Sequence, residues 1–103
     1  MKKKVLMEER AMNNTFPFLL HIGLNYFISC PNIIAIFNAK EVDDILEHSS
    51  IKETIIIDEK RPVRSYIYCI GGYLVGSPIE AKTLKGRYEE FQNEVNNFYN
   101  NFL

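Results

Sequence analysis

Short apolar runs divide the first half of the chain into predicted β-strands. The first run spans residues 16–22, and residues 26–29 return as a second strand after a turn at Gly23. Residues 33–37 (IIAIF) are apolar on both faces, which is typical of a central strand. Residues 54–57 (TIII) form a further apolar run. The pattern leaves open whether this last run pairs as a strand.

The strongest predicted element is a β-hairpin over residues 64–76, RSYIYCIGGYLVG. Two runs of β-branched and aromatic residues meet at Gly71-Gly72, a pair typical of a two-residue hairpin loop. The register that follows from this loop pairs Ile70 with Tyr73, Tyr68 with Val75, and Ile67 with Gly76.

Two stretches change to a helical period. Residues 40–48 predict a short amphipathic helix with acids on its outer side and Asn38 as a candidate cap. The segment Ser77-Pro78-Ile79-Glu80 is typical of a helix start, because it combines a capping Ser, an early Pro and a capping-box Glu. The helix is predicted over residues 78–102. Its apolar positions recur at coiled-coil spacing and are the predicted oligomer interface: Leu84, Tyr88, Phe91, Val95 and Phe98.

These elements predict one α+β domain over residues 16–103, preceded by a flexible tail over residues 1–15. The domain is expected to contain a small antiparallel sheet of about five strands, one short helix and the longer C-terminal helix. A chain of 103 residues is the size of one domain, and its 47% apolar content favours a folded protein over a disordered one. With 13% aromatic residues, we expect part of the aromatic surface to lie in a subunit interface.

Charge is distributed unevenly along the chain. Residues 60–87 contain six of the twelve Lys and Arg residues and a single acid, Glu80, whereas the remainder contains six bases and twelve acids. If the predicted hairpin forms, its far end brings the basic residues together, and they are the predicted DNA contacts: Lys60, Arg61, Arg64, Lys82, Lys85 and Arg87. Such a surface suits a phosphate backbone, although another polyanion or plain solvated charge fits the same pattern. Useful affinity would need several copies along the duplex.

The remaining reactive side chains predict no catalytic residue, metal site, cofactor or small-molecule substrate. His21 lies in a predicted strand and His48 at the end of an acidic helix, and a structural role explains each. No Cys or His pair has metal-ligand spacing. An enzyme would need a pocket lined by His21 and a tyrosine such as Tyr26, Tyr66 or Tyr68, which the sequence does not demand.

Cysteine usage and hydropathy predict a cytoplasmic protein. Cys30 and Cys69 are expected to be reduced and mostly buried, with a single long-range disulfide as the alternative. No apolar stretch reaches the roughly 18 residues that a membrane span needs. The apolar run that a signal peptide needs after Met1-Lys2-Lys3-Lys4 is broken by Glu8-Glu9-Arg10, so no signal peptide is expected.

Four stretches also resemble one known family in their order and spacing. They are FLLHIG (18–23), YFIS (26–29), NIIAIF (32–37), and RSYIY…YLVGSPIEAKTLKGR within residues 64–87. Together they resemble the bacterial extracellular matrix regulators, the RemA and RemB family, and the RemB branch more closely.

The resemblance implies a small α+β domain that forms a ring-like homo-oligomer and binds double-stranded DNA, as a transcriptional regulator of biofilm-matrix genes. It also implies DNA contacts by arginines at two places. One falls on Asn32, so this chain lacks that arginine. The other is a basic pair before the hairpin, which falls on Lys60 and Arg61 or on Arg61 and Pro62.

Two hypotheses follow from the sequence. The first is an oligomeric DNA-binding regulator that contacts phosphates through the basic residues. The alternative is a protein-interaction or scaffolding module that oligomerises without binding DNA. The aromatic seam over residues 84–102 and the acidic remainder of the chain support this second hypothesis.

Overall fold

The computed structural model describes residues 18–43, 47 and 50–102. These residues form a mixed α+β structure, which confirms the predicted class. Its elements, in chain order, are β1 (Leu19–Gly23), β2 (Tyr26–Ser29), a 3-10 turn (Cys30–Asn32), β3 (Ile33–Asn38), a second 3-10 turn (Ala39–Glu41), β4 (Glu53–Ile56), β5 (Ser65–Cys69), β6 (Tyr73–Ser77) and α1 (Ala81–Phe102).

The strands form two sheets, which corrects the prediction of one antiparallel sheet of about five strands. β1 and β2 make a two-stranded antiparallel ribbon, and the other four strands make a sheet in the order β3-β5-β6-β4. The sequence left open whether residues 54–57 pair as a strand. They supply most of β4, which pairs with β6 in parallel. Since the chain reverses between β4 and β5 and again between β5 and β6, β4 and β6 run in the same direction.

The predicted hairpin is present, but its register differs by one residue. Cys69 pairs with Tyr73 and Ile67 pairs with Val75, so residues 70–72 form a three-residue loop. The second loop glycine donates its N–H to the Cys69 carbonyl at 3.1 Å. Both loop glycines have positive φ angles, 94° and 86°, a conformation that glycine adopts without strain. The longer loop places the side chains of Ile67 and Val75 on the same face, where both are buried.

The core lies between α1, the β1–β2 ribbon and one face of the four-stranded sheet. Its buried side chains are Leu20, Ile22, Cys30, Ile67, Cys69, Val75 and Leu84. Tyr88 and Phe91 extend this core along α1, and the Phe91 ring meets the Phe18 ring edge-on with centroids 5.7 Å apart. The first half of α1 is therefore held against the ribbon by apolar packing.

α1 begins at Ala81, so the predicted helix span of 78–102 is corrected to 81–102. Ser77 ends β6 instead of capping the helix: its hydroxyl donates to the Ile22 carbonyl and accepts from the Ile79 N–H. The carbonyl of Glu80 accepts the first helical bond, from Leu84 N at 3.2 Å. Ser77, which the sequence predicted as the helix cap, therefore connects β6 to β1 through a buried hydrogen bond.

Two predicted segments cannot be followed in full. The tail over residues 1–15 lies outside the described residues, as do residues 44–46 and 48 of the predicted short helix. The start of that segment is the 3-10 turn Ala39–Glu41, and Asn38 caps this turn as predicted. The Asn38 side chain accepts from Lys40 N, and Asn38 N donates to the Glu41 carboxylate, each at 3.1 Å.

Candidate nucleic-acid interface

The structure divides the six predicted cations among three places. They lie in the turn after β4 (Lys60 and Arg61), around the start of α1 (Arg64, Lys82 and Lys85), and in the contact between α1 and β1 (Arg87). The six cations therefore have three different sets of neighbours.

Asp58 organises the turn that carries Lys60 and Arg61. This carboxylate is only 8% exposed, and its oxygens accept from Lys60 N at 3.0 Å and lie 3.5 Å from Arg61 Nε. The Arg61 side chain is 70% exposed, so the ion pair is screened by solvent and contributes little stability. It nevertheless places a negative charge beside Arg61. Neither basic residue lines the surface beside Lys82.

A basic groove surrounds the start of α1. We define it by four side chains: Lys40, Arg64, Lys82 and Lys85. It consists of two adjoining depressions of about 380 Å³ and about 570 Å³. Both depressions are lined by the same residues at the end of β3 and the start of α1, namely Asn38, Lys40, Ala81 and Lys82. Arg64 lines the smaller depression and Lys85 the larger one.

Backbone hydrogen bonds hold the segments of the groove together. Arg64 N donates to the Ser77 carbonyl at 2.8 Å, and the Arg64 carbonyl accepts from Ala39 N at 3.0 Å. Arg64 is thereby fixed between the ends of β3 and β6, beside the start of α1. Lys40 belongs to the groove although sequence reasoning did not select it. The capping signal at Asn38 and Glu41 could have located it, because that cap fixes the chain direction after β3.

The groove is positive but not free of acids. Glu80 Oε1 lies 3.7 Å from Arg64 Nη1, and both side chains are mostly exposed, so this pair is weak and screened. Glu41 and Glu89 also line the larger depression. Among the residues that the structure describes, the lysines of the groove form no ion pair. The N-terminal end of α1 adds a partial positive charge at the same place.

Arg87 faces away from the basic groove. Its Nη1 donates to the His21 carbonyl at 2.8 Å and lies 3.5 Å from Nδ1 of the same residue. The guanidinium is therefore part of the contact between α1 and β1. Its assignment as a DNA contact stays a prediction.

The two positions that the family resemblance singles out also lie outside the groove. Asn32 is exposed and directly precedes β3, whereas the groove adjoins the end of that strand. Its carbonyl accepts from Ile70 N at 2.8 Å, next to the hairpin loop. Lys60 and Arg61 lie in the turn described above. The resemblance and the basic groove thus point to different surfaces.

The predicted oligomer seam divides into two parts along α1. Leu84 is 0% exposed within its own subunit, and the half-buried Tyr88 and Phe91 pack against the same core. Val95 is half-buried and Phe98 is 59% exposed. The part of the seam left to a partner is therefore the stretch near Val95 and Phe98, and its role in assembly stays a prediction.

The structure describes the surroundings of His21 and of both cysteines. The His21 ring contacts the Phe27 ring, with centroids 5.1 Å apart, and the Arg87 guanidinium. Both cysteines are buried and neither forms a disulfide, as predicted, and the Cys69 thiol donates to the Ile67 carbonyl at 3.8 Å. Burial raises the pKa of the Cys30 and Cys69 thiols above the ordinary value of 9.0. These thiols are protonated at neutral pH and are poor nucleophiles.

Across residues 18–43, 47 and 50–102, which the structure describes, no three His, Cys, Asp or Glu side chains cluster so as to hold a metal ion. In the same ranges, no helix has the length and apolar character needed to cross a membrane.

No protein-family model matches the chain, and no curated protein matches its sequence. The resemblance to the matrix regulators therefore rests on the residues quoted above and on their order.

Proposed function

We propose that this chain is a DNA-binding regulator that holds the phosphate backbone in the basic groove. The observation that carries the proposal is the convergence of Lys40, Arg64 and Lys82 from three separate segments around one depression. Cations gathered from distant parts of a chain suit a charge-assisted contact with phosphate oxygens. A cytoplasmic location and the role in controlling biofilm-matrix genes belong to the same proposal and rest on the resemblance.

The groove carries nearly as many acids as cations, so the proposed DNA binding requires several subunits acting together. Four cations face the surface, but three acids, Glu41, Glu80 and Glu89, line it with them. A single subunit would therefore bind DNA weakly. A ring-like or other repeated assembly multiplies the contacts along one duplex and raises the affinity through effective concentration. Sequence preference would come mainly from DNA shape and subunit spacing, since lysines contact phosphates more than base edges.

Salt dependence of binding tests the proposal. Each phosphate neutralised by a cation contributes about −0.9 to the slope of log affinity against log salt concentration. We expect fluorescence anisotropy with a labelled duplex to give a slope of about −3.6 if the four cations of one groove are engaged, and a steeper one if several subunits bind. Absent binding, or binding that salt does not weaken, would remove the support for a phosphate contact.

A protein-interaction module without DNA is the second candidate. It is favoured by the exposed aromatic residues near the end of α1, where Phe98 and Tyr99 are 59% and 56% exposed. Exposed aromatic side chains in neighbouring positions are typical of surfaces that bind other proteins. This candidate predicts assembly in solution without any salt-dependent affinity for DNA.

A further inference from the structure

His21, Leu24 and Arg87 form a contact that the proposed function does not use. We call it the β1–α1 latch. His21 Nε2 lies 2.7 Å from the Leu24 carbonyl oxygen at the tip of the ribbon. On the other side of the ring, Arg87 Nη1 lies 3.5 Å from Nδ1 and donates to the His21 carbonyl at 2.8 Å. One imidazole thus joins the ribbon tip to the helix.

The partners determine which ring nitrogen carries the proton. A carbonyl oxygen only accepts hydrogen bonds, so Nε2 must carry the hydrogen that points at Leu24. A guanidinium only donates, so Nδ1 must present its lone pair to Arg87. The neutral Nε2–H tautomer is therefore the only form of the ring that satisfies both partners.

A second proton on His21 is incompatible with this arrangement. It would place an N–H at Nδ1 opposite the donor of Arg87, and it would put two positive charges at the present 3.5 Å separation. If the ring turned away, His21 would lose its hydrogen bond to the Leu24 carbonyl. Leu24 lies in the turn at the tip of the ribbon with a positive φ of 48°, which is uncommon for a leucine.

No other charged group in the described part of the chain relieves this conflict. Phe27, which pairs with His21 on β2, is uncharged and contacts the ring. On α1, Glu90 lies about one turn beyond Arg87, but the two form no ion pair. Among residues 18–43, 47 and 50–102, the guanidinium is therefore the only full charge in contact with the imidazole.

We propose that the β1–α1 latch is an acid-sensitive device, in which protonation of His21 expels the Arg87 side chain from the ribbon. The Nη1 bond to the His21 carbonyl is lost in the same step, and within the described residues apolar packing such as that of Phe18 on Phe91 then holds the ribbon to α1. The proposal does not depend on DNA binding, because none of the latch residues lines the basic groove.

NMR spectroscopy of the full chain tests the latch directly. A His48→Gln background leaves His21 as the single histidine, and long-range ¹H–¹⁵N spectra identify its tautomer. We expect the Nε2–H form near neutral pH, and loss of the hydrogen-bonded Arg87 guanidinium signal in the same acid step that protonates His21. In a His21→Phe variant, the Arg87 signal should not respond to this step.

Two results would overturn the proposal. One is the Nδ1–H tautomer near neutral pH, and the other is an Arg87 signal that persists unchanged while His21 takes up its second proton. If the His21→Phe variant does not fold, the tautomer and the Arg87 titration in the single-histidine protein decide the matter without it.

Discussion

Ser65 and Ser77 pair directly across β5 and β6, and both are 0% exposed. The Ser65 hydroxyl donates to the Ile79 carbonyl at 2.7 Å, and the Ser77 hydroxyl donates to the Ile22 carbonyl at 2.5 Å. Ser77 also accepts from Ile79 N at 3.0 Å. This pair joins the hairpin to the ribbon and to the segment that leads into α1. It fixes the direction in which the helix leaves the sheet and thereby the shape of the basic groove.

The two serines should differ in their contribution to stability. Ser77→Ala removes the hydroxyl that binds two backbone groups, the Ile22 carbonyl and the Ile79 N–H. Ser65→Ala removes the hydroxyl that binds one, the Ile79 carbonyl. We expect Ser77→Ala to lower the free energy of unfolding by about 1–3 kcal/mol, and Ser65→Ala by less. Urea denaturation measures both. Thr83→Ala, at an exposed position of α1, is the control and should change stability by no more than about 0.5 kcal/mol. Equal, small effects for all three variants would contradict this role.

Leu84 and Phe98 belong to the same apolar seam but should behave differently when truncated. Leu84 is fully buried, so Leu84→Ala leaves a cavity and should cost about 2–5 kcal/mol in free energy of unfolding. Phe98 is 59% exposed and buries less surface, so Phe98→Ala should cost clearly less. Thermal or urea unfolding of each variant measures the difference. A larger loss for Phe98→Ala would show that the end of α1 is packed more tightly than its exposure indicates.

Self-assembly, if it uses the end of α1, should be sensitive to charge at Phe98. We expect Phe98→Asp to fold and to shift the chain toward monomer in size-exclusion chromatography with light scattering, because a carboxylate opposes burial in an apolar interface. Asn93→Asp introduces the same charge at an exposed position off the seam and is the matched control. An oligomer that survives Phe98→Asp unchanged would place the interface elsewhere.

The two buried thiols should make stability fall at alkaline pH. Burial raises the pKa of Cys30 and Cys69 in the folded state above 9.0, so the unfolded chain loses these protons first as the pH rises. Their contribution to stability is complete below about pH 9 and is lost as the pH rises through the folded-state values. Urea midpoints measured from pH 8 upward should therefore fall more steeply for the wild type than for a Cys30→Ala/Cys69→Ala variant. Parallel curves would contradict this linkage.

Local sequence patterns predicted the strands and the helix well, but they could not predict long-range partners. The apolar runs and the Asn38 cap each depend on neighbouring residues, and each was found, whereas the Gly71-Gly72 turn was found as part of a three-residue loop. The parallel pairing of β4 depends on which edge of the hairpin is free, and no local pattern encodes this choice. The hairpin register changed because the burial of Ile67 with Val75 favoured a three-residue loop over a two-residue one.

The candidate site was predicted in part for the same reason. Arg64, Lys82 and Lys85 do surround one groove, as expected from their position at the end of the hairpin and the start of the helix. Arg87 follows Lys85 by two positions, which places it on another side of α1, where it meets His21. Arg61 lies in a turn whose buried carboxylate, Asp58, attracts it. Sequence proximity grouped these cations, but Arg87 contacts β1 and Arg61 pairs with Asp58.

The most direct test of the basic groove compares two matched double variants in DNA-binding titrations. Arg64→Ala/Lys82→Ala removes one arginine and one lysine from the groove, and Lys60→Ala/Arg61→Ala removes the same two charges from the turn after β4. Anisotropy titrations over a range of salt concentrations would give the salt slope of each variant. The account predicts that the groove variant flattens the slope by about 1.8, whereas the turn variant leaves it close to that of the wild type. An equal loss in both variants, or a larger one in the turn variant, would contradict the assignment of phosphate binding to the groove.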